Sequence, residues 1–242
     1  MREFLKKNGL LWKAALVFAF LQVASCAEFP KNGVGQGIKL IFTMTVAGHI
    51  QDGSTAGESP YIYIVAMYPS TDLNPTVAGP EPVVAPPWGN GFVAGNATAF
   101  VRYGLDQVSP YTVYLFQDPN LTTYEATGVP VSSMNPNGTA TIQFEVDISQ
   151  LKPSGFDTTT LQSVLVNFLT MDKAPIGSYS GSKYWDALGD SQSVSSVNDY
   201  VRIPLTYSAV YDNNYFSQLE PTGDCPVPNL DITNFSVQVV VP

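Results

Sequence analysis

Along "GTATIQFEVDI", residues 138–148, apolar and polar side chains alternate, with Ile142, Phe144, Val146 and Ile148 on one side and Gln143, Glu145 and Asp147 on the other. A period of two marks a strand with one face in a core and one in water. The turn cluster Asn135 to Gly138 leads into it. Similar runs rich in Val, Ile, Tyr, Phe and Thr recur at "IKLIFTMTVAG", "YIYIVAMY", "ATAFVRYG", "YTVYLFQ", "LQSVLVNFLTM", "VRIPLTYSAVY" and "FSVQVVV", punctuated by Gly, Pro and Asn. In "YIYIVAMY" both faces are apolar, which predicts a strand in the middle of a covered sheet. No long stretch carries a helical period; single helical turns are expected at "DISQL" and around "NYFSQL". Seven or eight such strands predict an all-β fold, a two-sheet β-sandwich of jelly-roll or immunoglobulin-like type with long Pro/Gly-rich loops.

Between the second and third strand runs lies "PSTDLNPTVAGPEPVVAPPWGNGFVAGNAT", about thirty residues with six prolines and four glycines. An insertion of that length is expected to be a functional or a disordered loop. Trp88 sits within it, and Trp185 lies in a second Gly- and Ser-rich segment, "GSYSGSKYWDALGDSQS". Aromatic faces held by such loops stack on sugar rings or anchor protein partners. The candidate recognition surface is therefore Trp88, Phe92, Tyr184 and Trp185, with Asp186 and Tyr184 hydrogen-bonding to hydroxyls. The alternative is that each tryptophan folds back to plug one end of the sandwich.

The opening segment has a different layout. Arg2, Lys6, Lys7 and Lys13 precede an apolar core from Ala14 to Val23, which predicts an export signal too short to cross a bilayer as a stable helix. It closes on Val23, Ala24, Ser25 and Cys26. This segment resembles the bacterial lipoprotein signal, whose lipobox is an aliphatic residue, two small residues and a cysteine. The resemblance covers the signal region alone. It implies a signal peptide over 1–25, an acylated Cys26 as the mature N-terminus, and membrane anchoring through its acyl chains. Ala27 after the cysteine resembles the pattern sorted to the outer membrane in a two-membrane bacterium. Ordinary cleavage after Cys26 would instead leave a soluble secreted chain beginning at Ala27. Residues 26–36 read as a tether and 37–242 as one β-sandwich domain.

Residues 1–25 hold four of the eleven Lys and Arg and one of the twenty Asp and Glu, so the remainder carries 7 basic and 19 acidic residues, a formal charge of −12. Such a field argues against a nucleic-acid partner. Gly33, Gly35 and Gly37 do not form a dinucleotide fingerprint, because a strand rather than a helix follows them. His49 is the sole histidine, and neither a G-x-S-x-G elbow nor an H-E-x-x-H motif is present. Glu145 and Asp147 share the solvent side of one strand and are expected to be solvated rather than a glycosidase pair. "DALGD" and "YDNNY" cluster oxygen ligands without EF-hand spacing, so no metal, catalytic residue or cofactor is assigned. Beside Cys225 the acidic Asp224 and Glu220 disfavour a thiolate. Four N-x-S/T sequons, beginning at Asn96, Asn120, Asn137 and Asn234, could be glycosylated in a eukaryotic secretory protein and normally mean nothing in a bacterial lipoprotein.

These observations lead to a lipid-anchored extracytoplasmic sandwich with a binding or structural role in the cell envelope, its partners the membrane and a glycan or envelope protein. Two other classes remain open. One is a carbohydrate-active enzyme using acidic residues. The other is a subunit of a surface assembly in which "FSVQVVVP" pairs with a neighbour.

Overall fold

The computed structural model describes residues 37–84, 90–152, 157–174, 183–189 and 199–242; the anchor position Cys26 and Trp88 lie outside them. The chain is all-β. Its first sheet takes the order β13-β14-β1-β9-β8 from β1 (Lys39–Val46), β8 (Ser132–Met134), β9 (Thr141–Asp147), β13 (Ala209–Asp212) and β14 (Ile232–Val240). Its second sheet runs β11-β10-β2-β5-β6-β7, built from β2 (Ile62–Ser70), β5 (Ala99–Tyr103), β6 (Tyr111–Phe116), β7 (Tyr124–Gly128), β10 (Ser163–Met171) and β11 (Trp185–Ala187). The seventh member, β12 (Val201–Pro204), pairs with Ser163–Val166 of β10, whereas β11 pairs with Leu169–Met171. All these pairings are antiparallel.

The two sheets bury their facing sides against each other, as alternation in the sequence requires. Leu40, Phe42 and Met44 of β1 and Ile142, Phe144 and Val146 of β9 meet Tyr63, Val65 and Met67 of β2 and Val164, Val166 and Phe168 of β10. Phe42 stacks on Phe144 at 5.3 Å between ring centroids, and Phe168 approaches Phe235 of β14 at 5.2 Å. Sandwich cores of this kind are held by interdigitated inner faces.

The outer face of the second sheet is apolar too. Ile62, Ile64 and Ala66 of β2, Phe100 of β5, and Leu169 and Met171 of β10 form a second buried cluster with Phe92, Val93 and Ala97. These last three belong to the Pro/Gly-rich insertion, which is thus a cover and not the structureless loop expected from its composition. Within it, β3 (Pro80–Pro82) and β4 (Val93–Gly95) pair as a two-stranded ribbon. Asn90 fixes its turn: Oδ1 accepts the backbone N–H groups of Phe92 and Val93. The reading of "YIYIVAMY" as a covered central strand holds, since β2 lies between β10 and β5 and is buried along most of its length.

Two other expectations are corrected. "VRIPLTYSAVY" is not one strand, because β12 joins the second sheet and β13 the first. The segment between them carries the chain from one sheet to the other. "FSVQVVVP" offers no free edge either: β14 is paired with β1 on one side and β13 on the other. Of the two expected helical turns, "DISQL" forms a 3-10 turn at Ile148–Leu151 capped by the Asp147 side chain, whereas "NYFSQL" forms only turns.

Candidate functional site

The five expected recognition residues part company. Phe92 is 7 % exposed, its ring 6.3 Å from Phe100 and 6.0 Å from Tyr124, with the Arg102 guanidinium 5.7 Å above it. It is a core residue of the outer cluster, so its place on a binding surface is corrected. Asp186 is fully buried, and its two oxygens accept the N–H groups of Ala187 and Ile232. It therefore faces no hydroxyl of an external glycan. Trp185 is half-buried against the outer cluster, and Tyr184 stands 49 % exposed beside it. The Tyr184 backbone is fixed to Asp172 by two hydrogen bonds, N to Oδ1 at 3.1 Å and O from the Asp172 N–H at 3.0 Å. Trp88 lies outside the described residues.

Pleating explains this division. Trp185 and Ala187 alternate toward the outer cluster, so Asp186 between them projects to the inner side of β11. There it meets the segment between β13 and β14, residues 213–231. Glu220, Asp224 and Asp231 of that segment are buried with it, at 2 %, 8 % and 3 % exposure. One carboxylate oxygen from each of Asp186, Asp224 and Asp231 lies within 4.8 Å of the others.

Backbone geometry sets these side chains in place. Gly189 at φ +95°, a conformation that favours glycine, directs its N–H to Glu220 Oε2 at 3.1 Å. Asn213 clamps the Glu220 backbone, donating to its carbonyl and accepting its N–H. Asp231 accepts the Gly223 N–H on both oxygens at 3.0 Å and the Cys225 N–H at 3.3 Å. Further bonds tie the segment to both sheets, from Tyr63 Oη to the Asn229 carbonyl and from the Ala47 N–H to the Asp231 carbonyl.

Burial of so much negative charge pushes the acids up. Loss of solvent, with the neighbouring Asp224 charge second, raises Asp186 to about 9. The same desolvation, followed by repulsion from Asp186, raises Glu220 to about 11, and Asp231 is raised mainly by burial. Among the described residues, no lysine, arginine or histidine forms an ion pair with Asp186, Glu220 or Asp231.

Cys225 is a free, buried thiol at the margin of this cluster, and burial reinforced by Asp186 pushes it up to about 12. In a Cys26→Ala chain, iodoacetamide at pH 8 is expected to leave Cys225 unmodified in the native state and to alkylate it fully in urea. Labelling of the native protein at the rate of a free peptide thiol would contradict this burial.

The remaining expected groups are engaged elsewhere. Glu145 pairs with Lys39 at 2.9 Å and Asp147 caps the 3-10 turn, so they are not poised as an acid and base across a cleft. His49 stands at the surface with Nε2 at 3.4 Å from Glu58.

No family model, curated protein or solved structure matches this chain. Its function is argued from its own residues. Sequence reasoning assigned no metal and missed the acidic cluster, because Asp186 on β11 is far in sequence from the 213–231 segment and only the fold brings them together. No local signal marked them: Asp231 between Leu230 and Ile232 reads like Glu145 between Phe144 and Val146, an outward acid on an alternating strand.

Proposed function

We propose that this chain is a lipid-anchored extracytoplasmic β-sandwich protein, held at the membrane through Cys26, with a binding or structural role in the cell envelope. The observation that carries the anchor is the Val23-Ala24-Ser25-Cys26 segment behind a basic and apolar leader. Tyr184 and Trp185 support recognition: an exposed and a half-buried aromatic residue are neighbours in sequence at the sheet edge, on backbone fixed by Asp172. Rings held this way stack on a sugar or a protein partner at small entropic cost. The engagement of Glu145 and Asp147 in structural roles weighs against the glycosidase reading.

Expression in a bacterium beside a Cys26→Ala variant tests the anchor. Wild-type protein is expected in the membrane fraction with acyl mass on Cys26, and the variant in the soluble fraction without it. A wild-type product beginning at Ala27 and lacking lipid would overturn the anchor. Pull-down on isolated envelope glycan, with Tyr184→Ala beside the wild type, tests recognition. Binding weakened at least about tenfold with circular dichroism unchanged is the expected result.

A further inference from the structure

Asp186, Asp224 and Asp231 bring an oxygen each within 4.8 Å of one another in a buried cluster between β11 and the entry to β14. Two ligand oxygens on opposite sides of a calcium ion, with bonds of about 2.4 Å, are about 4.8 Å apart. The cluster therefore has the span of one shared ion. A second observation is independent of that spacing. Glu220 is 2 % exposed, and while its Oε2 accepts the Gly189 N–H, its Oε1 has no hydrogen-bond partner. The Gly189 bond holds this carboxylate at the end of β11, three residues beyond Asp186. A buried acceptor without a donor calls for a ligand that accepts lone pairs.

We propose that Asp186, Glu220, Asp224 and Asp231 bind one calcium ion, which fastens the 213–231 segment to strand β11.

The donor chemistry narrows the choice of ion. The clustered groups Asp186, Asp224 and Asp231 are carboxylates, as is Glu220, while the sole histidine is engaged with Glu58 at the surface and the nearby sulfur of Cys225 is a buried thiol. A zinc site would draw on nitrogen or thiolate sulfur. Magnesium is held through one or two carboxylates and keeps several of its waters, whereas calcium accepts a cage of protein oxygens. The backbone N–H groups donated to Asp186 and Asp231 hold those carboxylates in place while leaving further lone pairs free. An ion here would join the second sheet, through β11, to the strand that leads the first sheet, through Asp231 and β14.

The test uses the exported protein, stripped with EGTA and dialysed, then melted with and without calcium. Calcium at about 100-fold above its Kd is expected to raise Tm by about 5–10 °C, with one equivalent bound in titration calorimetry. Equal concentrations of magnesium should raise it far less. Asp186→Asn and Glu220→Gln should bind calcium at least about tenfold more weakly. Without calcium, Glu220→Gln should melt no lower than the wild type, because its amide oxygen can still accept the Gly189 N–H, whereas Asp186→Asn loses one of the two oxygens that accept the Ala187 and Ile232 N–H groups. The Glu220→Gln result thus separates a lost ligand from a merely damaged fold. If stripped and calcium-loaded wild type melt together and calorimetry finds no binding, the proposal is overturned, and the carboxyls are instead held neutral by protons. An equal response to magnesium would overturn the assignment to calcium.

Discussion

Phe168→Ala is expected to cost about 3–5 kcal/mol of unfolding free energy, the range for deleting a fully buried phenylalanine. Phe168 has no exposed surface and lies on β10 of the second sheet, with its ring 6.2 Å from Phe42 and 5.2 Å from Phe235 of the first. It spans the interface between the two layers. Since a domain has about 5–15 kcal/mol in total, the loss is a large share. Urea unfolding followed by circular dichroism should show the midpoint falling with the slope nearly unchanged. An exposed control, Val210→Ala, should stay within about 0.5 kcal/mol of the wild type. A Phe168→Ala loss below about 1 kcal/mol would mean that the sheets do not pack through this residue.

Asn167→Ala is the second large effect, and it acts by a different route. The side chain is fully buried on the strand next to Phe168, and its amide donates to the carbonyls of Pro80 at 3.0 Å and Asp199 at 2.9 Å. Its Oδ1 accepts the Leu188 N–H at 3.2 Å. One residue thereby satisfies backbone groups from three separate segments. Removing it orphans all three, and each buried unsatisfied group costs about 1–3 kcal/mol. Partial access of water will reduce the sum, so the expected loss is about 2–4 kcal/mol. Hydrogen exchange distinguishes the two variants. Phe168→Ala should lower protection throughout the domain, whereas Asn167→Ala should first release the Leu188 amide. Unchanged Leu188 protection in Asn167→Ala would refute this role.

The strands with strong patterns were legible from the residues, because alternation reports directly which side chains face a core. "IKLIFTMTVAG", "GTATIQFEVDI" and "LQSVLVNFLTM" became β1, β9 and β10 with little shift in boundary. The doubly apolar "YIYIVAMY" correctly implied a second covering layer, yet gave no hint of its source. Proline and glycine in the insertion signalled loop, while the few apolar residues that pack, Val93 and Ala97 among them, are too sparse to form a period. The edge strands β7 and β8 were missed because both are exposed throughout and carry no buried face to pattern. In "VRIPLTYSAVY" the apolar alternation continues across a change of sheet, which local pattern cannot detect.

The candidate site was less legible than the fold. The Gly- and Ser-rich context of Trp185 and Tyr184 reads as loop although Trp185 opens strand β11, and the outward role expected of Asp186 fails because sequence does not show which way a three-residue strand is turned. Glu220, Asp224 and Asp231 look like ordinary solvated acids in a Gly/Pro-rich stretch. Their burial depends on Asn213 at the head of their own segment and on Gly189 and Tyr63, which come from distant stretches of the chain.

The pairing of β1 with β14 matches Lys39 with Val240 and Val46 with Ile232. The central pair of the first sheet thus joins segments separated by nearly the whole described chain. Closing so long a loop comes late and makes for slow folding. During synthesis, β1 has no partner on that side until β14 has left the ribosome. The first sheet is therefore completed only once β14, last of its strands in chain order, is available to pair with β1.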